Sequence, residues 1–382
     1  MTNKKKEPES RKVERAHLQR PNEELRTMPS DYTISLETRG GTDRLLVNPG
    51  SDRMQSMRGF EDTYVDIIDY IVRITHRIWE EKDIGYIYDT YKHNSLVVDG
   101  FGLQYGRDKI VADTVHTINA FPNIRLYADE IVWAGDDKVG FHTSHRTVIK
   151  GDNTGFSRYG PPTGRRIELW CIANCIALEN EIFKEWVLYD NADLVRQLGF
   201  DLREMARNIG NQRKDGSVVS TSFEPERLPG QGKPAYLSYQ PGQSLDVSDF
   251  LHSIYHNILN RRMLRTLKES HAPNFHTLSS NGRRFYGRNQ YQAFLLSLLA
   301  TFPDLAFQID DLYWMGNDND GYRTAMRWSI VGRHDGWGIY GPPTGRPVHM
   351  WGITQHDIRD GRIIQEWMLF NEFAVMQQIY RD

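Results

Sequence analysis

The chain has 382 residues, 39% hydrophobic, 25% charged and 12% aromatic, with a formal net charge of -3 and a pI near 6.5. That length is enough for two separate cores, and the near-neutral balance argues against a chain devoted to nucleic acid. The two cysteines, Cys171 and Cys175, are too few for a disulfide framework and read as buried thiols.

Taken in order, residues 1–60 are polar and read as an N-terminal arm, with Lys4–Arg20 as a solvated segment and with Tyr32–Glu37 and Leu45–Val47 as short extended pieces. The charged start has no hydrophobic run behind it, as a secretory signal would. No window of 18 apolar residues occurs, so neither a spanning helix nor a membrane partner is expected, and a cytoplasmic location is the default. Helical periodicity begins near Glu61, where Tyr64, Ile67, Ile68, Ile71, Ile74 and Ile78 recur at spacings of three and four. A second short helix is expected over 84–91, a strand or turn from Ser95, and a third helix over 108–121, stopped by Pro122.

From there the pattern turns to period two. Strands are expected at 124–133, 138–150, 167–178 and 182–189, followed by a short amphipathic segment over 193–202. Helices followed by an antiparallel meander of about four long strands define an α+β unit. Residues 203–242 carry Pro225, Pro229, Pro234 and Pro241 with glycines between them and read as a linker. The same order then restarts, with helices over 250–267 and 289–302, strands at 305–314, 322–332, 348–358 and 363–370, and a closing helical turn at 372–379.

The restart is a duplication. Tyr159-Gly-Pro-Pro-Thr-Gly-Arg165 recurs as Tyr340-Gly-Pro-Pro-Thr-Gly-Arg346, 181 residues later. At that offset Tyr105-Gly-Arg107 matches Tyr286-Gly-Arg288, Trp133 matches Trp314, Arg146 matches Arg327, Trp170 matches Trp351, and Glu185-Trp186 matches Glu366-Trp367. In the first helix the offset is 180. A unit of about 130 residues is therefore repeated. The organisation expected is an arm (1–60), a first domain (61–202), a linker (203–242) and a second domain (243–382). The two domains are expected to pack as an intramolecular pseudo-dimer, with a homo-oligomer beyond that left open.

The repeat resembles the SnoaL-like polyketide cyclases of the NTF2-like superfamily. The residues that carry the resemblance are Gly155, Gly160–Arg165, Ile182, Glu185-Trp186, Asp190 and Leu194–Gly199. In the second half they are Gly336, Gly341–Arg346, Asp360–Ile363, Glu366-Trp367 and Asn371. The resemblance implies two cone-shaped domains, each a curved antiparallel sheet wrapped on about three helices around a pocket. It also implies cofactor-independent chemistry on a small hydrophobic or polyketide-like molecule (ring closure, hydration or isomerisation), or ligand binding alone. No cofactor, metal or nucleic acid is expected.

By that resemblance, the acid–base residue maps to Asp190. Period two puts it on one strand face with Trp186 and Leu188, where a carboxyl would be partly desolvated; the alternative is a strand-end Asp capping a helix. The second half has Asn371 there, which cannot exchange a proton, and its histidine, His356, has no evident partner in the first half. His142 and His145 lie on opposite faces of one strand, so one of them is a candidate base. Arg146 and Arg327 are candidates to hold an anionic group, or to form salt bridges with Glu185 and Glu366. Tyr91, Tyr105, Trp133, Trp170 and Trp186 are candidate pocket residues of the first domain, and Trp314, Arg327, Trp351, His356, Trp367 and Asn371 of the second, with core packing as the alternative for the aromatic residues. An enzyme predicts a pocket in the first half; a purely scaffolding protein predicts no acid–base pair in either.

Overall fold

A computed structural model describes residues 33–212 and 244–382. The expected elements are present, with three additions. Domain one opens with α1 (Gly41–Val47), α2 (Ile67–Trp79), a 3-10 turn (Ile84–Tyr86) and α3 (Ile87–Thr90). It continues through β1 (Tyr91–Asp99), β2 (Gly102–Tyr105), α4 (Arg107–Ala120), β3 (Arg125–Asp136), β4 (Gly140–Asp152), β5 (Arg166–Leu178), β6 (Glu181–Tyr189), α5 (Asn191–Gln197) and α6 (Leu202–Asn211). Domain two repeats the pattern. It runs α7 (Val247–Tyr255), a π turn (His256–Asn260), α8 (Thr266–Ser270), β7 (His271–Ser279), β8 (Arg283–Tyr286) and α9 (Arg288–Thr301). Then come β9 (Ala306–Asn317), β10 (Gly321–Arg333), β11 (Pro347–Arg359), β12 (Arg362–Phe370) and α10 (Glu372–Tyr380).

Each domain carries a six-stranded sheet, in the orders β2-β1-β6-β5-β4-β3 and β8-β7-β12-β11-β10-β9. The four long strands form the expected meander, but β1 joins β6 in parallel, so the sheet is mixed rather than wholly antiparallel. The β1–β2 hairpin is the first addition. The second is in the arm. Leu45–Val47 belongs to helix α1 rather than an extended piece, and residues 33–40 form turns that bury Ile34 and Leu36. The Ile34 carbonyl accepts from Trp133 Nε1 at 2.8 Å, which ties the arm to domain one. The third addition, α6, occupies residues assigned to the linker. It packs on α10, where a Cβ on Gly210 would come within 2.9 Å of the Gln377 carbonyl. Lys4–Arg20 and the remainder of the linker lie outside the described residues.

Both faces of β5 and β6 are buried. One face meets the domain's own helices; the other meets domain two. Ile172, Ile176, Trp186, Leu188, Trp351, Ile353 and Leu369 form one cluster across the domains, with Trp170 and Trp367 packed against it. Polar contacts frame it. The Arg146 guanidinium lies 3.5 Å from the Trp367 ring centroid and Arg327 lies 4.1 Å from that of Trp186. Arg146 also donates to Gln355, whose amide donates to Ser144 O and Oγ at 2.9 Å. A cation over an indole in such a desolvated place contributes about 2 kcal/mol.

The shared Gly-Pro-Pro-Thr-Gly-Arg segment is a loop between β4 and β5. Asn153 braces it by accepting from Thr163 N at 2.9 Å, and His334 takes that place in domain two, bonded to Thr344 Oγ1 at 3.1 Å. Gly155 and Gly336 precede it because the loop presses on the end of α4 or α9. A Cβ there would sit 1.9 Å from Asn119 O and 1.8 Å from Ala300 O, respectively.

Candidate active site

Domain one encloses a cavity of about 540 Å³ between its sheet and α2 and α4. In domain two the same space is about 20 Å³. The difference lies in side chains at matching positions. Ile110, Asp113, Thr114, Thr117 and Leu126 line the domain-one cavity; Tyr291, Phe294, Leu295, Leu298 and Phe307 fill the other. Trp328 stands where domain one has Thr147. Its ring lies against the site of Gly352, where a Cβ would be 2.2 Å away; domain one has Cys171 there.

On the wall of the open cavity lies Glu185, buried, with the Tyr91 hydroxyl donating to Oε2 at 2.9 Å. Burial raises its carboxyl to about 7, opposed by the bond from Tyr91. Burial also holds the Tyr91 phenol well above its ordinary value, so it stays a neutral donor. Asp99 also lines the cavity. It accepts from the N–H groups of Phe101 (2.7 Å) and Gly102 (3.0 Å) and from Gln104 (2.8 Å), and so closes the β1–β2 turn. Burial raises its carboxyl, against those bonds and the charge of Arg158. Arg158 lies at the cavity edge with its guanidinium 3.8 Å from the Phe101 centroid.

The matching carboxylate of domain two, Glu366, is also raised by burial to about 7, but it is enclosed. Tyr255 and Tyr291 donate to its two oxygens at 2.9 Å, and Thr277 approaches at 3.5 Å. His356 Nε2 is 2.7 Å from the Tyr255 hydroxyl, and Thr324 Oγ1 is 2.6 Å from its Nδ1. Burial lowers the imidazole to about 3 and keeps it neutral. At the positions of Tyr255, Thr277 and Tyr291, domain one has Thr75, Val97 and Ile110. The donors that saturate Glu366 are missing around Glu185.

Of the residues singled out from sequence, Tyr91 lines the domain-one cavity. Asp190 does not. Its carboxylate accepts from Asn281 N at 2.7 Å and Gly282 N at 3.0 Å in domain two, and from Asp193 N at 3.3 Å as the cap of α5. Burial raises it to about 7, against the bonds from the Asn281 and Gly282 amides. The alternation that grouped Asp190, Leu188 and Trp186 on one face is correct, but that face meets domain two; Glu185, Val187 and Tyr189 face the cavity. Trp170, Trp186, Trp351 and Trp367 lie at the domain contact for the same reason.

His142 lies 6.1 Å from Tyr313 of domain two, ring to ring. His145 is buried, lowered to about 4, and outside the cavity lining. Arg146 pairs with Asp129 at 2.6 Å and Arg327 with Asp310 at 3.7 Å, rather than with Glu185 and Glu366. Trp133 and Trp314 are core residues, Tyr105 is 67% exposed, and Asn371 accepts from Trp351 N at 3.0 Å. In the sequence Glu185 stands out as part of the shared Glu-Trp pair and as a salt-bridge partner rather than as an acid–base group, and no motif singles out Asp99. The pairs Asp113/Phe294 and Thr117/Leu298, aligned by the repeat, carried the signal for which cavity is open.

A bent mixed sheet on helices, with one polar-edged apolar cavity, is the architecture of the NTF2-like α+β class. The family model of the SnoaL-like polyketide cyclases matches twice, over residues 69–198 and 250–379, and the chain belongs to that family. Among solved structures, the chain is similar to the candidate polyketide cyclase IdmH from Streptomyces antibioticus, at 26% identity over 35% of this chain and 98% of that one, TM-score 0.31. It is also similar to a candidate SnoaL-like polyketide cyclase from Jannaschia sp. CCS1, at 18% identity over 38% and 99%, TM-score 0.33. A third is AclR, a candidate hydroxylase from Streptomyces galilaeus, at 19% identity over 32% and 86%, TM-score 0.28. The comparison with curated proteins gives no match. Among the described residues no helix is long and apolar enough to cross a membrane.

Proposed function

We propose that domain one is a cofactor-independent acid–base enzyme of the cyclase, isomerase or hydratase type, acting on a small hydrophobic or polyketide-like molecule. The observation that carries this reading is Glu185, a carboxyl near neutral pKa on the wall of an apolar cavity large enough for such a ligand. In a ring closure, the Glu185 carboxylate takes a proton from a carbon next to a carbonyl. The resulting enolate carbon attacks a second carbonyl, and the new alkoxide receives the proton back. In an isomerisation the same proton returns to another carbon. Tyr91 holds the carboxylate oriented through its 2.9 Å bond.

Domain two is read as a non-catalytic scaffold, because its carboxylate is saturated and its cavity filled. The reciprocal contacts, Arg146 on Trp367 and Arg327 on Trp186, support pairing of the domains as an intramolecular pseudo-dimer. The test is Glu185→Gln, screened beside the wild type for turnover of aromatic, polyketide-like and terpenoid-like carbonyl compounds. A loss of about 10²–10⁴-fold is expected; full activity in the variant would refute the assignment.

A further inference from the structure

One wall of the domain-one cavity contains Phe101, Tyr159 and Asn191. The Tyr159 hydroxyl donates to Asn191 Oδ1 at 3.0 Å. Domain two backs this wall at two points. Phe373, in α10, meets Phe101 and Tyr159 edge-on, with ring centroids 6.4 and 5.8 Å apart. The turn between β7 and β8 gives the Asn281 and Gly282 amides to Asp190, the residue before Asn191. Arg196 strengthens the second point by donating to Asn281 O and Oδ1 at 2.9 and 3.0 Å.

These contacts follow the repeat but are unequal. Where domain two has Phe373, domain one has Ala192. In domain one the β1–β2 turn amides are satisfied by its own Asp99. Domain two has Ser279 at that strand position, and its turn amides are satisfied by Asp190 from domain one. The aromatic member of the exchange therefore sits beside the open cavity, and the polar member anchors the helix start that carries Asn191.

We propose that domain two shapes the ligand cavity of domain one. Phe373 and the Asn281–Gly282 turn are positioning residues that fix the Phe101–Tyr159–Asn191 wall, the turn acting through Asp190. The proposal rests on the reading of that cavity as the functional site. An edge-on aromatic contact on a wall that would otherwise relax is worth a roughly two- to tenfold change in ligand affinity.

The test uses the full chain and the neutral apolar fluorophore N-phenyl-1-naphthylamine, with denaturation midpoints recorded in parallel. Phe373→Ala is expected to weaken probe binding by about that factor, and Phe373→Leu, a milder variant that keeps the fold, by less. Gln355→Ala removes domain contacts to Arg146 and Ser144 away from the cavity. It is expected to lower the midpoint and leave probe affinity unchanged. Wild-type affinity in both Phe373 variants, or an equal loss in Gln355→Ala, overturns the proposal. A triple variant, Asp113→Phe with Thr114→Leu and Thr117→Leu, separates the two levels. If it still binds the probe fully, the cavity is not the site, and the wall proposal fails with that reading.

Discussion

The two domains share a topology, a buried carboxylate on the same strand position and the same proline loop, yet one is hollow and the other solid. Glu185 faces about 540 Å³ of cavity; Glu366 faces three hydroxyl donors and a packed core. The duplicated domain is thus an internal control. What both copies keep, such as the Gly155 and Gly336 approach to the helix end, belongs to the fold. What only the first keeps, namely Asp113, Thr117, Arg158 and Tyr91, is not required by the fold and is free to serve a ligand. Domain two has Phe294, Leu298, Ile339 and His271 at those positions.

The largest expected effect lies in the carboxylates. Glu185→Gln should reduce turnover by about 10²–10⁴-fold, whereas Glu366→Gln should leave kcat within about twofold and act only on stability. Equal losses in both variants would erase the distinction between the domains. Next comes the filled core. Trp328→Ala removes a buried indole bonded to Thr354 at 2.9 Å and should cost about 3–5 kcal/mol by chemical denaturation. Thr147→Ala, its counterpart, removes a small buried side chain and its bond to Cys171 and should cost about 1 kcal/mol. A Trp328 variant as stable as the wild type would mean that domain two is not held by its packed interior.

The smallest effect is in pH. Glu185 and Glu366 have folded-state values near 7, above the 4.5 of an exposed glutamate. Between those values the native state binds more protons than the unfolded one, so these groups stabilise the fold most below about 4.5. That contribution is lost as pH rises through about 7. Stability measured at pH 5 and at pH 8 should therefore fall more steeply in the wild type than in Glu366→Gln. A Glu185 base should also give activity that rises with pH through about 7.

Much of the architecture was legible in the sequence. The 181-residue offset, the helical spacing of Ile67, Ile71, Ile74 and Ile78, and the long alternating strands placed both domains and nearly every long element. The β1–β2 hairpin was not read as such because β1 begins with the polar run Tyr91-Lys-His-Asn-Ser and β2 is four residues long. The site was harder. On β6, Trp186 and Leu188 are as apolar as Val187 and Tyr189, because both faces are covered. Alternation fixes which residues share a face but not which face is the cavity. That ambiguity carried attention to Asp190 rather than Glu185. Cavity size could have been read from the repeat, since Asp113/Phe294, Thr114/Leu295 and Thr117/Leu298 run from polar to large and apolar, and Ile110/Tyr291 and Leu126/Phe307 from aliphatic to aromatic.

The asymmetry is tested most directly by the stoichiometry of N-phenyl-1-naphthylamine, titrated by fluorescence against the full chain and against the Asp113→Phe, Thr114→Leu, Thr117→Leu variant. One equivalent per wild-type chain and none in the variant is the expected result. Two equivalents, or one that survives in the variant, would contradict a single open cavity in domain one.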